Sequence, residues 1–419
     1  MKLQELRVFY DTGATRELVG TLALAGQRML FEYEARWQHN EIELAPFKMP
    51  VSRRSFQFNP AELPGNLPGL CADSLPDGWG LLIMDRFFAR KGVARHDITP
   101  LDRLAYLGDH AMGALSYQPA TEVDNKAEAI QVGSTAREAY QVFAGDIEEV
   151  SRLLAKVGGS PGGARPKALI GISECGQKFV SGTSTLPAGF SHWLVKFSSP
   201  VYGKLSDLGP CEGIVESVYL QMAEMAGIRV PQSRLIVDND LSHLAVRRFD
   251  RPRHDQRLHM ATACGLLHAD CRLPSLDYKH LIRVAWQISS DAREVHEQYR
   301  RAIFNLLAVN RDDHSKNHSY LLGEDGTWRL SPAYDLTYSP GPNGEHWTAF
   351  LGEGKTPNKK TLLELAEIGS IGNKDALNII ARVQDAVSKF PDLCKQQGVP
   401  SGKLKPLIAE QEKARKAAV

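Results

Sequence analysis

The run Ala302-Ile303-Phe304-Asn305-Leu306-Leu307-Ala308-Val309 constrains this chain most, because it breaks directly into Asn310-Arg311-Asp312-Asp313-His314-Ser315-Lys316-Asn317. An almost wholly apolar stretch of that length reads as a buried helix. A buried helix delivers the polar loop that follows it to one fixed place. After a hairpin pattern (strand-like residues 320–322, a turn over 323–326, strand-like residues 327–330) comes Ser331-Pro332-Ala333-Tyr334-Asp335. An acid, an amide five residues later and a second acid are the groups that phosphoryl transfer uses. One carboxylate receives the substrate hydroxyl proton; the amide and the other carboxylate hold magnesium. At this level either Asp312 or Asp313 serves as the first acid, and His314 and Lys316 either contact phosphate or fix the loop. The plainer reading is a connector whose Asp and Asn cap helix ends.

If the loop is catalytic, the residues before it should cradle a nucleotide. Gly158-Gly159-Ser160-Pro161-Gly162-Gly163-Ala164-Arg165-Pro166-Lys167 is rich enough in glycine for backbone N–H groups to approach phosphate. It fits neither a Walker A pattern nor G-x-G-x-x-G, and by itself is only a loop. Lys196 stands alone among apolar residues in Trp193-Leu194-Val195-Lys196-Phe197, so it either reaches solvent or meets an anion. Glu216, on the helical pattern over 211–226, is the candidate carboxylate to pair with Lys196, with Glu212 one turn earlier as the alternative. The Gly-rich loop, strand lysine, helix glutamate, acid-amide loop and second acid occur in the order found in kinases.

Alternation over 6–10, 18–22 and 29–33 reads as a small antiparallel meander. Helical patterns follow over 81–91, 101–107 and 147–157, with a polar connector expected over 120–140. Further strands are expected over 168–172, 193–197 and 244–248, and mainly helices from 279 onward. The order is β-rich, then mixed, then mostly α, with the chemistry expected in the cleft between lobes. The 419 residues are 43% hydrophobic and 24% charged, with a formal charge of +1, which gives no sign of a generic nucleic-acid binder. The six cysteines show no C-x-x-C pair, so reduced thiols in a cytoplasmic setting are expected. Neither a signal peptide nor a membrane span is expected.

The chain resembles the HipA-like serine/threonine kinases of bacterial toxin–antitoxin systems over nearly its whole length. The resemblance rests on Leu75-Pro76-Asp77-Gly78-Trp79-Gly80, Leu101-Asp102-Arg103-Leu104-Ala105-Tyr106-Leu107-Gly108, Ser160–Lys167 as quoted above, Val246-Arg247-Arg248-Phe249-Asp250-Arg251, Asp312–Asn317 and Tyr334-Asp335. It implies an α+β, two-lobed protein-kinase-like fold with a β-rich N-terminal lobe, an extra N-terminal subdomain and an all-α C-terminal lobe. The corresponding segments are 1–120 for the N-terminal subdomain, 121–250 for the kinase N-lobe and 251–419 for the C-lobe.

By the same resemblance Asp312 is the catalytic base, with Asp313 a bystander, and Asn317 and Asp335 hold Mg²⁺. ATP is held by Ser160, Gly162, Gly163, Ala164, Lys167, Lys196, Arg247, Arg248, Phe249, His314, Lys316 and Tyr334. Arg247–Phe249 correspond to the hinge strand that holds adenine through its backbone, although Arg247 stands where many members carry glutamate. Ser160 matches a serine whose autophosphorylation silences the kinase by like-charge repulsion of its loop. The implied partners are a protein substrate such as an aminoacyl-tRNA synthetase and a small helix-turn-helix antitoxin, with DNA reached only through the antitoxin. A HipA-like kinase outside any toxin system, acting on another protein or a small molecule, and an ATP-binding scaffold without catalysis are the alternative readings.

Overall fold

The computed structural model describes residues 3–40, 42–121, 126–182, 185–201 and 208–418. Alternation makes the first and third strands, burying Leu6 and Val8 in one and Met29, Phe31 and Tyr33 in the other. The second buries Val19, Gly20 and Leu22 and pairs with the first across an irregularity in register. These strands, β1 (Glu5–Asp11), β2 (Arg16–Ala25) and β3 (Arg28–Tyr33), join β4 (Phe56–Phe58) and β5 (Leu115–Gln118) in a sheet of order β4-β3-β2-β1-β5. Between β4 and β5 lie helices α1 (Gly69–Ala72), α2 (Gly78–Arg90) and α3 (Pro100–Leu107). Thr99 caps α3 through a capping box with Asp102, and Pro100 takes the first helical position, where its missing N–H costs nothing.

Helices α4 (Val132–Ala144) and α5 (Arg152–Gly158) lead into β6 (Lys167–Ser173), which pairs antiparallel with β7 (Phe179–Ser181) and β8 (Phe190–Lys196). The expected connector over 120–140 is corrected here. Residues 122–125 lie outside the described ones, and from Val132 the chain is a helix. Its buried stripe (Val132, Thr135, Ala136, Ala139, Val142) has helical spacing but is built mostly of small side chains, so it lacks the large apolar residues that announce a helix. The helix expected over 147–157 starts later, where the Ser151 side chain accepts from Leu154 N.

Next come α6 (Glu212–Met225), β9 (Ser233–Asp238), β10 (Leu241–Arg247), β11 (His259–Thr262), α7 (Ala263–Leu267) and β12 (Leu276–Asp277). The remainder is α8 (Tyr278–Ser289), α9 (Ala292–Leu307), the short strands β13 (Ser319–Leu322), β14 (Trp328–Leu330) and β15 (Thr348–Ala349), then α10 (Lys359–Ile368), α11 (Asn373–Ser388), α12 (Phe390–Gln396) and α13 (Ser401–Ala418). The C-terminal part is therefore helical apart from short strands. Asp291 caps α9 by accepting from Arg293 N, and Val295, Tyr299, Ala302, Ile303, Phe304, Leu306 and Leu307 are buried along it. Each large apolar side chain buried this way contributes roughly 1.5–3 kcal/mol, so α9 is held by packing far more than by helix propensity.

Two compact units emerge, and neither is continuous in sequence. The first comprises Met1–Phe197, Ala245–His268 and Leu321–Gly326; the second comprises Ser198–Leu244, Ala269–Tyr320 and Thr327–Val419.

Candidate active site

In the second unit, α9 ends in a backbone that few residues adopt. Val309 has φ +57°, a left-handed conformation that a β-branched residue rarely takes, and it turns the chain sharply out of the helix. Surrounding bonds enforce the turn. Tyr219 on α6 donates its hydroxyl to Ala308 O at 2.6 Å, Ser339 N donates to Val309 O at 2.9 Å, and Asn310 Nδ2 donates to Asn305 Oδ1 at 2.9 Å. Arg311 donates to Pro340 O at 3.2 Å and lies 3.7 Å from Glu410 of α13.

The adjacent acids then part company. The Asp312 side chain is 50% exposed, with His314 Nε2 3.9 Å from Oδ1. Asp313 is fully buried. Its Oδ2 accepts from Tyr278 Oη at 2.7 Å and His346 Nδ1 at 2.8 Å, and its Oδ1 from Thr348 N at 3.2 Å. Burial, the largest single influence, would raise this carboxyl, but the His346 ring, the Tyr278 hydroxyl and His318 together outweigh it and hold the group below the usual carboxylate range. Two bonds brace the far side of the loop: Asn317 Nδ2 donates to Asp312 O at 2.6 Å, and Ser315 Oγ to Ala269 O at 2.7 Å. Asn317 thus commits its amide nitrogen to the loop through this bond. His318 is buried, which pushes its imidazole down to about 4.

Asp335 lies near the same corner. Tyr334 donates to Lys316 O at 2.5 Å and also bonds Ser319 Oγ, and Asp335 itself has φ +56°. An ion network on α9 holds the approach to it. Arg301 donates to Ser331 O at 2.6 Å, Leu330 N donates to Glu294 at 2.8 Å, and Ala333 N donates to Arg229 O at 2.7 Å. Asp312, Asn317 and Asp335 therefore share one local framework with His314, Lys316 and Tyr334. Glu216 is buried on α6, also in this unit.

The Gly-rich loop belongs to the first unit. Ser160 is buried, whereas Gly162, Ala164 and Arg165 are exposed. The loop is clamped by the segment that opens α2: Gly163 N donates to the Asp77 carboxylate, Trp79 N donates to Gly163 O at 2.9 Å, and Trp79 Nε1 to Lys167 O at 2.8 Å. Gly163 has φ +93°, and a Cβ at Gly78 would lie 2.7 Å from Ala164 Cα, so both positions require glycine. Lys167 at the start of β6 and Lys196 at the end of β8 are register partners. Residues directly opposite in an antiparallel pair share a face with Cβ atoms about 5 Å apart, and the Lys167 ammonium reaches back to the Gly-rich loop beside Gly163.

The three hinge candidates differ. Arg248 is spent internally: its N donates to His192 O at 2.9 Å, and its guanidinium holds Asp250 at 3.0 and 2.6 Å. Arg247 and Phe249 are half-buried on either side. Sequence reasoning set Asp313 aside as a bystander and met Asp77 only as part of a family motif. The partner of Asp313 is His346, thirty-three residues further on in a stretch with no pattern, so spacing gave no signal for it.

A profile of the HipA-like C-terminal domain matches residues 159–390, and one of the HipA N-terminal domain matches residues 8–118. The chain belongs to the HipA-like family. This HipA-like chain is 28% identical over 255 residues to Y4dM of Sinorhizobium fredii (strain NBRC 101917 / NGR234), whose name provisionally calls it a kinase; the match covers 54% of this chain and 60% of Y4dM. It is 26% identical over 300 residues to toxin YjjJ of Escherichia coli (strain K12), covering 66% of this chain and 62% of YjjJ. The chain thus spans about three-fifths of the length of the curated relatives it matches. Among solved structures it is similar to HipA of the Shewanella oneidensis MR-1 toxin–antitoxin system in complex with HipB and operator DNA. That match has a TM-score of 0.69 at 18% identity and covers 99% of this chain and 100% of that one. The likeness bears out the α+β, two-lobed kinase-like fold expected of a HipA-like chain.

Proposed function

We propose that this HipA-like chain is an ATP- and Mg²⁺-dependent protein serine/threonine kinase and the toxin of a toxin–antitoxin module. The observation that carries the reading is the division of labour between the two adjacent acids. Asp313 is buried and fully engaged, which leaves Asp312 half-exposed on a loop that also bears Asn317. Asp312 takes the proton of the substrate hydroxyl as the new O–P bond forms and the bond to ADP breaks. The residues fit a magnesium nucleotide. Asn317 offers an amide oxygen and Asp335 a carboxylate, the hard donors that magnesium takes when phosphate oxygens complete its shell. His314 Nδ1 is buried without a hydrogen-bond partner among the described residues, a donor suited to a phosphate oxygen. When bound, the cation neutralises charge on the transferring phosphoryl group.

Lys167 and Lys196 bind phosphate in this reading, with the loop from Ser160 through Ala164 contributing backbone N–H groups. Lys316, Tyr334 and Glu216 are the further nucleotide-site candidates of the second unit, and Arg247 and Phe249 the adenine-flanking candidates of the first. Arg248 is a structural residue. The names of the relatives support a toxin role, and the HipB partner of the similar structure supports a small DNA-binding antitoxin for this chain. The proposed target is a translation protein such as an aminoacyl-tRNA synthetase, reached in the cytoplasm. No helix among the described residues is long and apolar enough to cross a membrane. Ser160 is the proposed autophosphorylation site; because it is buried, its loop must leave before or upon modification.

One experiment tests the core of this reading. Purified chain is incubated with labelled ATP and cell lysate, and phosphopeptides are mapped. Asp312→Asn should lower transfer by roughly 10²–10⁴-fold with ATP binding retained. Undiminished transfer would reject Asp312 as base, and self-labelling that maps away from Ser160 would reject that switch.

A further inference from the structure

Asp313 collects five donors although its neighbours in the loop are partly exposed. Its carboxylate takes Tyr278 Oη, His346 Nδ1 and Thr348 N. Its backbone carbonyl takes the Thr348 hydroxyl and, at 3.2 Å, His318 Nε2. These donors come from the start of α8, from β15 with the residues before it, and from the end of the loop itself. The β12–β15 pairing brings the first two groups together: Leu276 lies opposite Thr348 and Asp277 opposite Ala349, which sets Tyr278 and His346 on either side of one carboxylate. Asn305 of α9 donates to Tyr278 Oη at 2.9 Å, and the Phe350 ring packs 4.5 Å from Tyr278 and 5.3 Å from His346. Both carboxylate oxygens and the backbone carbonyl of Asp313 thus have protein donors.

A buried carboxylate in such a cage fixes its own backbone, and Asp313 lies between Asp312 and His314. Asn317 Nδ2 ties the Asp312 carbonyl from the other side. The side chain of Asp312 and the amide of Asn317 therefore project from a segment pinned at Asp313. We infer that Asp313, held by His346 and Thr348, is a positioning residue that sets the direction of Asp312 and Asn317 for phosphoryl transfer. The inference rests on the kinase reading above for its catalytic consequence, but not for the pinning itself.

The test uses Asp313→Asn, His346→Ala, His346→Asn and Thr348→Val in the full chain, each checked for folding by its melting temperature. In Asp313→Asn the new amide faces the His346 and Tyr278 donors with a donor of its own. The kcat for transfer from ATP should fall by about 10²-fold, the cost of a misplacement on the order of 1 Å, with KM for ATP unchanged. His346→Ala should do the same, while His346→Asn, which keeps a donor at the Nδ1 position, should recover most of the rate. Thr348→Val removes only the hydroxyl bond and should give an intermediate loss. In parallel, amide exchange over residues 312–317 should speed up in Asp313→Asn relative to the rest of the second unit. A folded Asp313→Asn with parental kcat, a change in KM alone, or exchange raised uniformly across the chain would each overturn the inference. If the parent chain itself transfers no phosphate, the kinase reading fails, and the exchange measurement still decides the pinning.

Discussion

Asp250 sits buried between the guanidinium groups of Arg248 and Arg251 and takes a further hydrogen bond from Gly113 N at 2.8 Å. Arg251 continues the network to Gly113 O and Ala111 O, and Arg257 links Asp11 to Leu115 O. Burial would raise the Asp250 carboxyl, yet the two arginines hold it far below the usual range. Removing the charge leaves arginines buried without their counter-ion. Asp250→Asn should therefore cost on the order of 3–5 kcal/mol, read as a lower urea midpoint; an unchanged midpoint would mean that Gly113 and the carbonyls alone hold Arg251. Arg247–Arg251 was legible in the sequence as a motif but not as this cluster, because the bonds to residues 111–115 span about 140 positions. The choice between Asp312 and Asp313 was likewise closed only by family resemblance. Adjacent acids have the same composition and differ in where their partners lie, and those partners are Tyr278, His346 and Thr348.

At the level of elements, the segment from Pro76 to Gly80 both opens α2 and clamps the Gly-rich loop. The clamp puts a carboxylate on a backbone N–H, a bond worth about 1.5–3 kcal/mol when charged. Asp77→Ala should release the loop, seen as faster amide exchange and earlier proteolysis over residues 160–166 with a raised KM for ATP and α2 intact. Unaltered exchange there would show that the Trp79 bonds suffice. Periodicity revealed most elements of this size. The strands β1–β3, helices α2, α3, α6 and α9 and the β13–β14 hairpin all follow patterns of alternating or helical burial. Helix α4 escaped because alanine and threonine carry its buried stripe. The clamp escaped for another reason: a glycine's necessity shows only when its neighbour's backbone is in place, as Ala164 is for Gly78.

Across the whole molecule, buried histidines set a pH limit. His243, His259 and His318 are pushed by burial from 6.5 to about 4, and His192 to about 3. In the unfolded chain these rings protonate near 6.5, so between that pH and about 4 the unfolded state binds more protons, and stability falls as pH falls. Each ring removes on the order of 1–3 kcal/mol by pH 4. The melting temperature should hold above pH 6.5 and decline below it. His259→Gln, which keeps a donor for Leu44 O, should shallow the decline; a flat profile from pH 7 to 4.5 would contradict this. The α+β class and the β-to-α order of elements were legible from the order of patterns alone. The weaving of the chain was not, since it depends on which distant segments pack together. That weaving has a consequence for biosynthesis. The first unit lacks a piece until Leu321–Gly326 has left the ribosome, long after the Gly-rich loop and shortly after Asp312. A chain broken off before that point carries the Gly-rich loop without a finished first unit, so premature termination leaves that scaffold incomplete.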